Sequence, residues 1–167
     1  GSGYPVTADA KYTAAEAWSY GCVIASLSID GDTGEPHVER LVWVDDAGTI
    51  INPALVHGQL IGGAAQGMGQ ALMERLLYDA TGQLVTGSLM DYAVPRAQDM
   101  PTIEIESLHT PSPNNLLGAK GVGEAGCIGV PAALMNAARD ALRSFGEPDL
   151  HLPLTAEQLW RAMKPSP

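Results

Sequence analysis

NPALVHGQLIGGAAQGMGQALMERLL, residues 52–77, decides the fold. Asparagine followed by proline is the pattern of an N-cap with proline at the first helical position, so a helix is predicted from Ala54 to about Leu77. Ile61, Ala64, Met68, Ala71, Leu72 and Leu76 recur at helical spacing and give the expected buried stripe. Gly58, Gly62, Gly63, Gly67 and Gly69 cut across it, each costing roughly 0.5–1 kcal/mol relative to alanine inside a helix. Glycine permits close backbone approach, so packing against a neighbouring element is one explanation. A ligand is the other. Gln59, Gln66 and Gln70, at i, i+7 and i+11, share one face, and a glycine-lined face carrying amides suits a flat molecule rich in hydrogen-bonding groups.

Outward from this helix, Gly21–Ile29 and Val38–Val44 are rich in β-branched and small apolar residues and flank the turn-forming DGDTGEP, which reads as a β-hairpin. Asp45, Asp46 and Gly48 supply the next turn. Residues 1–17 are read as an N-terminal tag or linker with a short helix capped by Thr13, and 18–167 as the domain proper. The opening GSG resembles a cloning scar, so the chain is expected to be a piece of something longer. Beyond the helix, Asp79–Gly82 is a turn, Leu84–Ser88 a strand start and Asp91–Pro95 an extended segment, where Asp91 reads as a turn or cap carboxylate. Thr102–Leu108 alternates apolar with acidic residues, a strand whose Glu104 and Glu106 face water. Pro131–Arg143 reads as a helix with Met135, Ala138 and Leu142 on one side, and its start lies close enough to the glycine loop for its dipole to favour an anion there. A last helix follows Leu152–Leu154, with Thr155 and Gln158 placed as a capping box. The expected class is α+β: an antiparallel hairpin and mixed sheet packed with a glycine-rich long helix and C-terminal helices.

At 167 residues, with 46% hydrophobic and 17% charged, the chain suits one globular domain. A net charge of −10 disfavours nucleic acid and anionic membrane surfaces, both of which need clustered lysine and arginine. Cys22 and Cys127 have no CxxC partner, and His37, His57, His109 and His151 are scattered, so neither zinc nor a disulfide framework is signalled. A reduced, cytoplasmic setting is expected, without membrane insertion.

The chemistry is sought in GAKGVGEAGCIG, Gly118–Gly129. Such a density of glycine is expected where main chain takes positive φ or presses against a ligand, and successive amides there can form an anion-binding nest. Glu124 stands between Gly123 and Ala125 with little crowding, which is how a general base is presented. Its bland alternative is an exposed acid, or one paired with Lys120. Gly121, Gly123 and Gly126 spell GxGxxG, but the preceding TPSPNNLLGAK is proline-broken and supplies no buried strand, so a dinucleotide fingerprint is not supported. A P-loop is excluded because Lys120 precedes the GxG.

The words SYGC at 19–22, DGDTGEP at 30–36, INPALVHGQLIGGAAQGMGQAL at 51–72, GSLMDYAVP at 87–95, TPSPNNLLGAKGVGEAG at 110–126 and LPLT at 152–155 occur together and in order. In this the chain resembles the C-terminal molybdopterin-binding part of the large subunit of the xanthine oxidase/aldehyde oxidase family, the molybdenum hydroxylases, and is closest in tone to large chains like those of aerobic carbon monoxide dehydrogenase. The resemblance implies a molybdenum–molybdopterin cofactor, usually the cytosine dinucleotide form in bacterial members. It implies FAD and iron–sulfur clusters on partner subunits, and the upstream half of the large subunit as a further partner. It implies Glu124 as the catalytic base beside the metal, and Gln59, Gln66, Lys120, Gly121, Val122 and Gly123 as cofactor-proximal residues, with no side chain ligating molybdenum. The implied reaction is oxidation of an aldehyde, a nitrogen heterocycle or carbon monoxide with water as oxygen source, the piece being inactive alone. Ile61 is a departure, since the family often carries an acid shortly after the GQ pair. The alternative is a non-catalytic α+β subunit whose glycine-rich elements merely pack against a partner.

Overall fold

The computed structural model describes residues 7, 9–13, 15–146 and 148–164. The GSG opening lies outside them. Residues 9–13 and 15–19 contain no helix, so the short helix expected after Thr13 does not form in its described part.

Strands β1 (Tyr20–Ile29) and β2 (Pro36–Asp46) form the expected antiparallel hairpin, and β3 (Thr102–Ser107) joins β2 in parallel, giving a mixed three-stranded sheet in the order β1-β2-β3. The hairpin turn is built by Asp30, whose Oδ1 accepts from the amides of Asp32 and Thr33 at 2.9 and 2.7 Å. Asp45 and Asp46, expected in a turn, are instead the last two residues of β2 and are buried. The expected strand at Leu84–Ser88 is only an isolated bridge from Leu84 to Tyr78.

Helix α1 (Pro53–Leu72) begins as predicted, with the Asn52 side chain accepting from the Leu55 amide at 3.2 Å. It stops at Leu72 rather than Leu77. The amides of Met73 and Glu74 both turn back to the Gly69 carbonyl, and the chain beyond runs extended so that Leu77 bonds to Thr86 and Val85. Leu76 therefore lies outside the helix and is 60% exposed, and Ile61 too is exposed. The buried stripe is Leu60, Ala64, Gly67, Met68 and Ala71, which pack with Leu41 and Trp43 of β2 and with Val130 and Leu134.

The stripe is rotated from the expected one because glycine is part of it. A Cβ on Gly63 would lie 2.6 Å from the Gly126 Cα, and one on Gly67 2.8 Å from the Val130 Cβ. These contacts seat α1 against α2 (Ala125–Ile128) and α3 (Val130–Ala141). Ala138 and Leu142 face a second cluster with Leu150, Leu154 and Leu159, against which Met135 is partly buried. The final helix, α4 (Ala156–Ala162), is capped by Thr155, but Gln158 does not complete the capping box. Its amide instead bonds the backbone of His151 at 2.8 and 2.9 Å.

Not every glycine of α1 is needed for packing. A Cβ on Gly58 or Gly62 would meet nothing within 4 Å. In urea unfolding of this chain, Gly62→Ala is expected to raise stability by about 0.5–1 kcal/mol through helix propensity. Gly63→Ala, forced against backbone, is expected to lower it by about 1–3 kcal/mol.

Candidate active site

Glu124 stands at the N-cap position of the short α2 without a side-chain cap hydrogen bond and is exposed, as are Gly121 and Gly123. The Gln59 Nε2 of α1 donates to the Gly123 carbonyl at 3.3 Å, so the amide-bearing helix and the glycine loop meet at this point. On the following side, a Cβ on Gly126 would lie 2.6 Å from the Leu60 carbonyl oxygen, which leaves the backbone no room to shift towards α1. A hollow of about 590 Å³ opens beside the loop, lined by Ala17, Trp18, Ser19, Gly121, Gly123, Glu124, Ala125 and Ile128. Gln66 and Gln70 are exposed further along α1, and Val122 is half-buried against the core.

Lys120 turns its side chain into the protein. Its side chain is only 7% exposed, and its Nζ donates to Asp46 Oδ1 at 3.1 Å, so the alternative pairing with Glu124 does not occur. The ammonium also lies 4.3 Å from the centroid of the Tyr20 ring, a cation–π contact. The Asp46 carboxylate, wholly buried, accepts from the amides of Gly48 at 2.9 Å and Thr110 at 3.1 Å. Burial alone would push this carboxyl up, but Thr110, Gly48 and Lys120 together hold it well below the usual carboxylate range.

Next to it, Asp45 is 1% exposed and neither of its oxygens has a hydrogen-bond partner among the described residues. Burial first, then the neighbouring Asp46 charge, pushes its carboxyl up, with Lys120 opposing. Neither aspartate was singled out by sequence, because Asp-Asp before Gly reads as a turn. A signal was present: they directly continue the apolar β2 run. At the start of α3, Val130 and Pro131 are buried and a Cβ on Gly129 would lie 2.9 Å from Val23.

The fit of this surface to a large cofactor rests on the open glycines. Gly58, Gly62, Gly121 and Gly123 present bare main chain beside Gln59, with no nearby atom that their missing Cβ would strike below 4 Å. Among the described residues no group of three His, Cys, Asp or Glu is placed to hold a metal ion, and no helix is long and apolar enough to cross a membrane.

The Asp46 bonds predict opposite pH limbs for the two aspartates. A carboxyl depressed on folding stabilises above its unfolded value, near 3.9, and that stability is lost as pH falls towards its folded one. Asp46→Asn should therefore cost about 3 kcal/mol or more at neutral pH in chemical denaturation, with the gap to the parent closing in acid. Asp45, raised on folding, destabilises increasingly as pH climbs above about 4, and Asp45→Asn should flatten that limb.

Comparison with known proteins places the chain in a family. The family model described as a molybdopterin cofactor-binding domain matches residues 2–101. The large subunit of nicotine 6-hydroxylase from Paenarthrobacter nicotinovorans is 45% identical over 83% of this chain and 17% of its own length. The carbon monoxide dehydrogenase large chain of Hydrogenophaga pseudoflava is 36% identical over 88% of this chain and 18% of its own. Among solved structures, quinoline 2-oxidoreductase from Pseudomonas putida 86 superposes with a TM-score of 0.79 at 44% identity, covering 84% of this chain and 18% of that one. The chain thus spans under a fifth of the length of these relatives. With the domain match and the relatives in agreement, the chain belongs to the molybdopterin cofactor-binding domain family of xanthine oxidase-type molybdenum proteins.

Proposed function

We propose that this chain is part of the large subunit of a molybdenum hydroxylase that oxidises a ring carbon of a nitrogen heteroaromatic compound, with water as the oxygen source and Glu124 as the base. The observation that carries the reading is the meeting of Gln59 with the Gly123 carbonyl beside an exposed Glu124, on a surface of open glycines. The choice of substrate class rests on the nicotine and quinoline relatives at 45% and 44% identity, against 36% for the carbon monoxide dehydrogenase chain.

Gln59, Gly121 and Gly123 would lie against the cofactor, here taken as the cytosine dinucleotide form, with Gln66 and Val122 adjoining and Lys120 contributing through its backbone. When bound, the cofactor supplies an acceptor for the electron pair leaving the substrate carbon. The chain's own part is proton handling. A Glu124 oxygen takes the proton from the water-derived oxygen as that oxygen forms its bond to the carbon, and the carboxyl later releases the proton to solvent. The exposed glutamine amides would orient the group and the ring, Gln59 through the oxygen left over from its bond to Gly123. The electron pair would then pass to iron–sulfur and FAD partner subunits.

The rest of the large subunit is a required partner in this reading. Leu89, Met90 and Leu116 are 81%, 95% and 107% exposed, as expected of surface that other parts of a larger subunit cover. The purely packing account explains Gly63 and Gly67 but leaves Gly58 and Gly62 without a reason.

In the intact complex from its host, near-stoichiometric molybdenum by mass spectrometry is expected, with quinoline oxidised faster than benzaldehyde or carbon monoxide. Glu124→Gln should lower turnover by about 10²-fold or more with molybdenum content retained. A loss of only a few-fold overturns the base assignment.

A further inference from the structure

Glu124 has two glycines, Gly121 and Gly123, between it and Lys120, and glycine backbone is the least restrained of all. The place of the carboxylate therefore depends on what holds the ends of the segment. After Glu124 the restraint is the close approach of Gly126 to α1. Before it the Gly121 amide donates to the Ala17 carbonyl at 3.2 Å, Val122 packs on the core and Gln59 bonds the Gly123 carbonyl, and the start of the segment is anchored by Lys120. The Lys120 amide donates to the Ala47 carbonyl at 2.9 Å, and its ammonium is held by buried Asp46 and the Tyr20 ring. The Tyr20 hydroxyl donates to Thr110 Oγ1 at 3.1 Å, and the Thr110 amide returns to Asp46, closing a ring of contacts. That ring joins the start of β1, the end of β2, the segment after β3 and the glycine loop.

A buried ion pair is weak evidence for stability, because desolvation offsets the attraction and apolar replacement is often neutral. What it fixes well is geometry, since two opposite charges in a dry setting accept few alternative arrangements. We propose that the Asp46–Lys120 side-chain pair positions Glu124 for proton transfer, acting through the loop while neither of the two side chains touches substrate or cofactor. The proposal rests on the hydroxylase reading above. It gives Lys120 a role that the cofactor-contact expectation did not contain, and it adds Asp46, Thr110 and Tyr20 to the functional machinery as positioning residues.

The test uses the assembled complex and whichever of quinoline, benzaldehyde and carbon monoxide it turns over fastest. Lys120→Met is expected to slow the reduction of the enzyme by substrate about tenfold to 10²-fold, with KM changed by less than about twofold and molybdenum retained. Lys120→Arg, which keeps the pair, is expected to restore most of the rate, and Asp46→Asn to repeat the loss. In a Glu124→Gln background, Lys120→Met should slow the reaction by less than about a further twofold, because the group it positions is gone. Amide hydrogen exchange provides a readout independent of turnover: peptides covering Gly118–Gly126 should exchange faster in Lys120→Met while those of Val130–Ala141 keep their protection.

Each of three results would overturn the proposal: an unchanged rate in Lys120→Met, the same full loss in the Glu124→Gln background, or a loss of protection in α3 as large as that in the loop. If Lys120→Met does not assemble, Asp46→Asn and Lys120→Arg decide by the same criteria. A Glu124→Gln enzyme with normal turnover would instead sink the base assignment, and this proposal with it.

Discussion

The absence of side chains where Gly63 meets Gly126 is the constraint on which the rest of the structure depends. A Cβ on either would fall within 2.6 Å of backbone on the other element, so α1 and α2 can approach to this distance only if both positions are glycine. That approach brings Gln59 within reach of the Gly123 carbonyl and seats Gly67 against Val130 at the head of α3. The same helix lays Leu60, Ala64 and Met68 on the sheet side of the core with Leu41 and Trp43. One close contact thus orients the helix towards both the core and the glycine loop.

The loop is held electrostatically at its other end. Asp46 is a strand residue with no exposed surface, and three donors saturate it, one of them the buried Lys120 ammonium. The neighbouring Asp45 is equally buried but has no partner among the described residues. Adjacent strand residues point to opposite faces, so two aspartates in sequence meet opposite fates from one step in register. The paired one acts as a fixed charge that orients a lysine. The unpaired one resists ionisation and gives nothing comparable to the loop.

Much of this was legible in the sequence, and the misses have physical causes. β-Branched runs on either side of a turn-forming stretch revealed β1 and β2, alternation of apolar with acidic residues revealed β3, and helical spacing revealed the two longer helices. The rotation of the α1 stripe was not legible, since hydropathy gives no credit to glycine and so could not count Gly67 as buried or Gly63 as a packing position. The end of α1 at Leu72 was hidden because MERLL is helix-forming by propensity, while tertiary pairing of Leu77 with Thr86 draws it straight. Glu124 and Gln59 were candidates from the glycine loop and the amide face, the resemblance added Gly123, and the structure brings Gln59 onto the Gly123 carbonyl beside Glu124. The partner of Lys120 could not be read, because Asp46 is distant in sequence and resembles a turn residue.

The two anchors differ in what they restrain. Steric exclusion at Gly126 fixes position but offers no direction, since it only forbids approach. A charge pair at Lys120 supplies direction, because the ammonium must stay between Asp46 and the Tyr20 face to remain solvated by protein. Between them the loop leaves Gly121, Gly123 and Glu124 exposed while Val122 is drawn into the core, so the segment is pinned at its middle by an apolar side chain as well. Rigid ends with bare backbone between them let a large planar group lie directly on main-chain atoms without side chains intervening. A glycine-bearing helix offers bare backbone but not its amides, which are already spent within it, and a free loop could not hold a carboxylate still. The glycine content that weakens α1 and the loop by propensity is therefore the means by which backbone becomes a surface, and the buried pair is what keeps that surface in one shape.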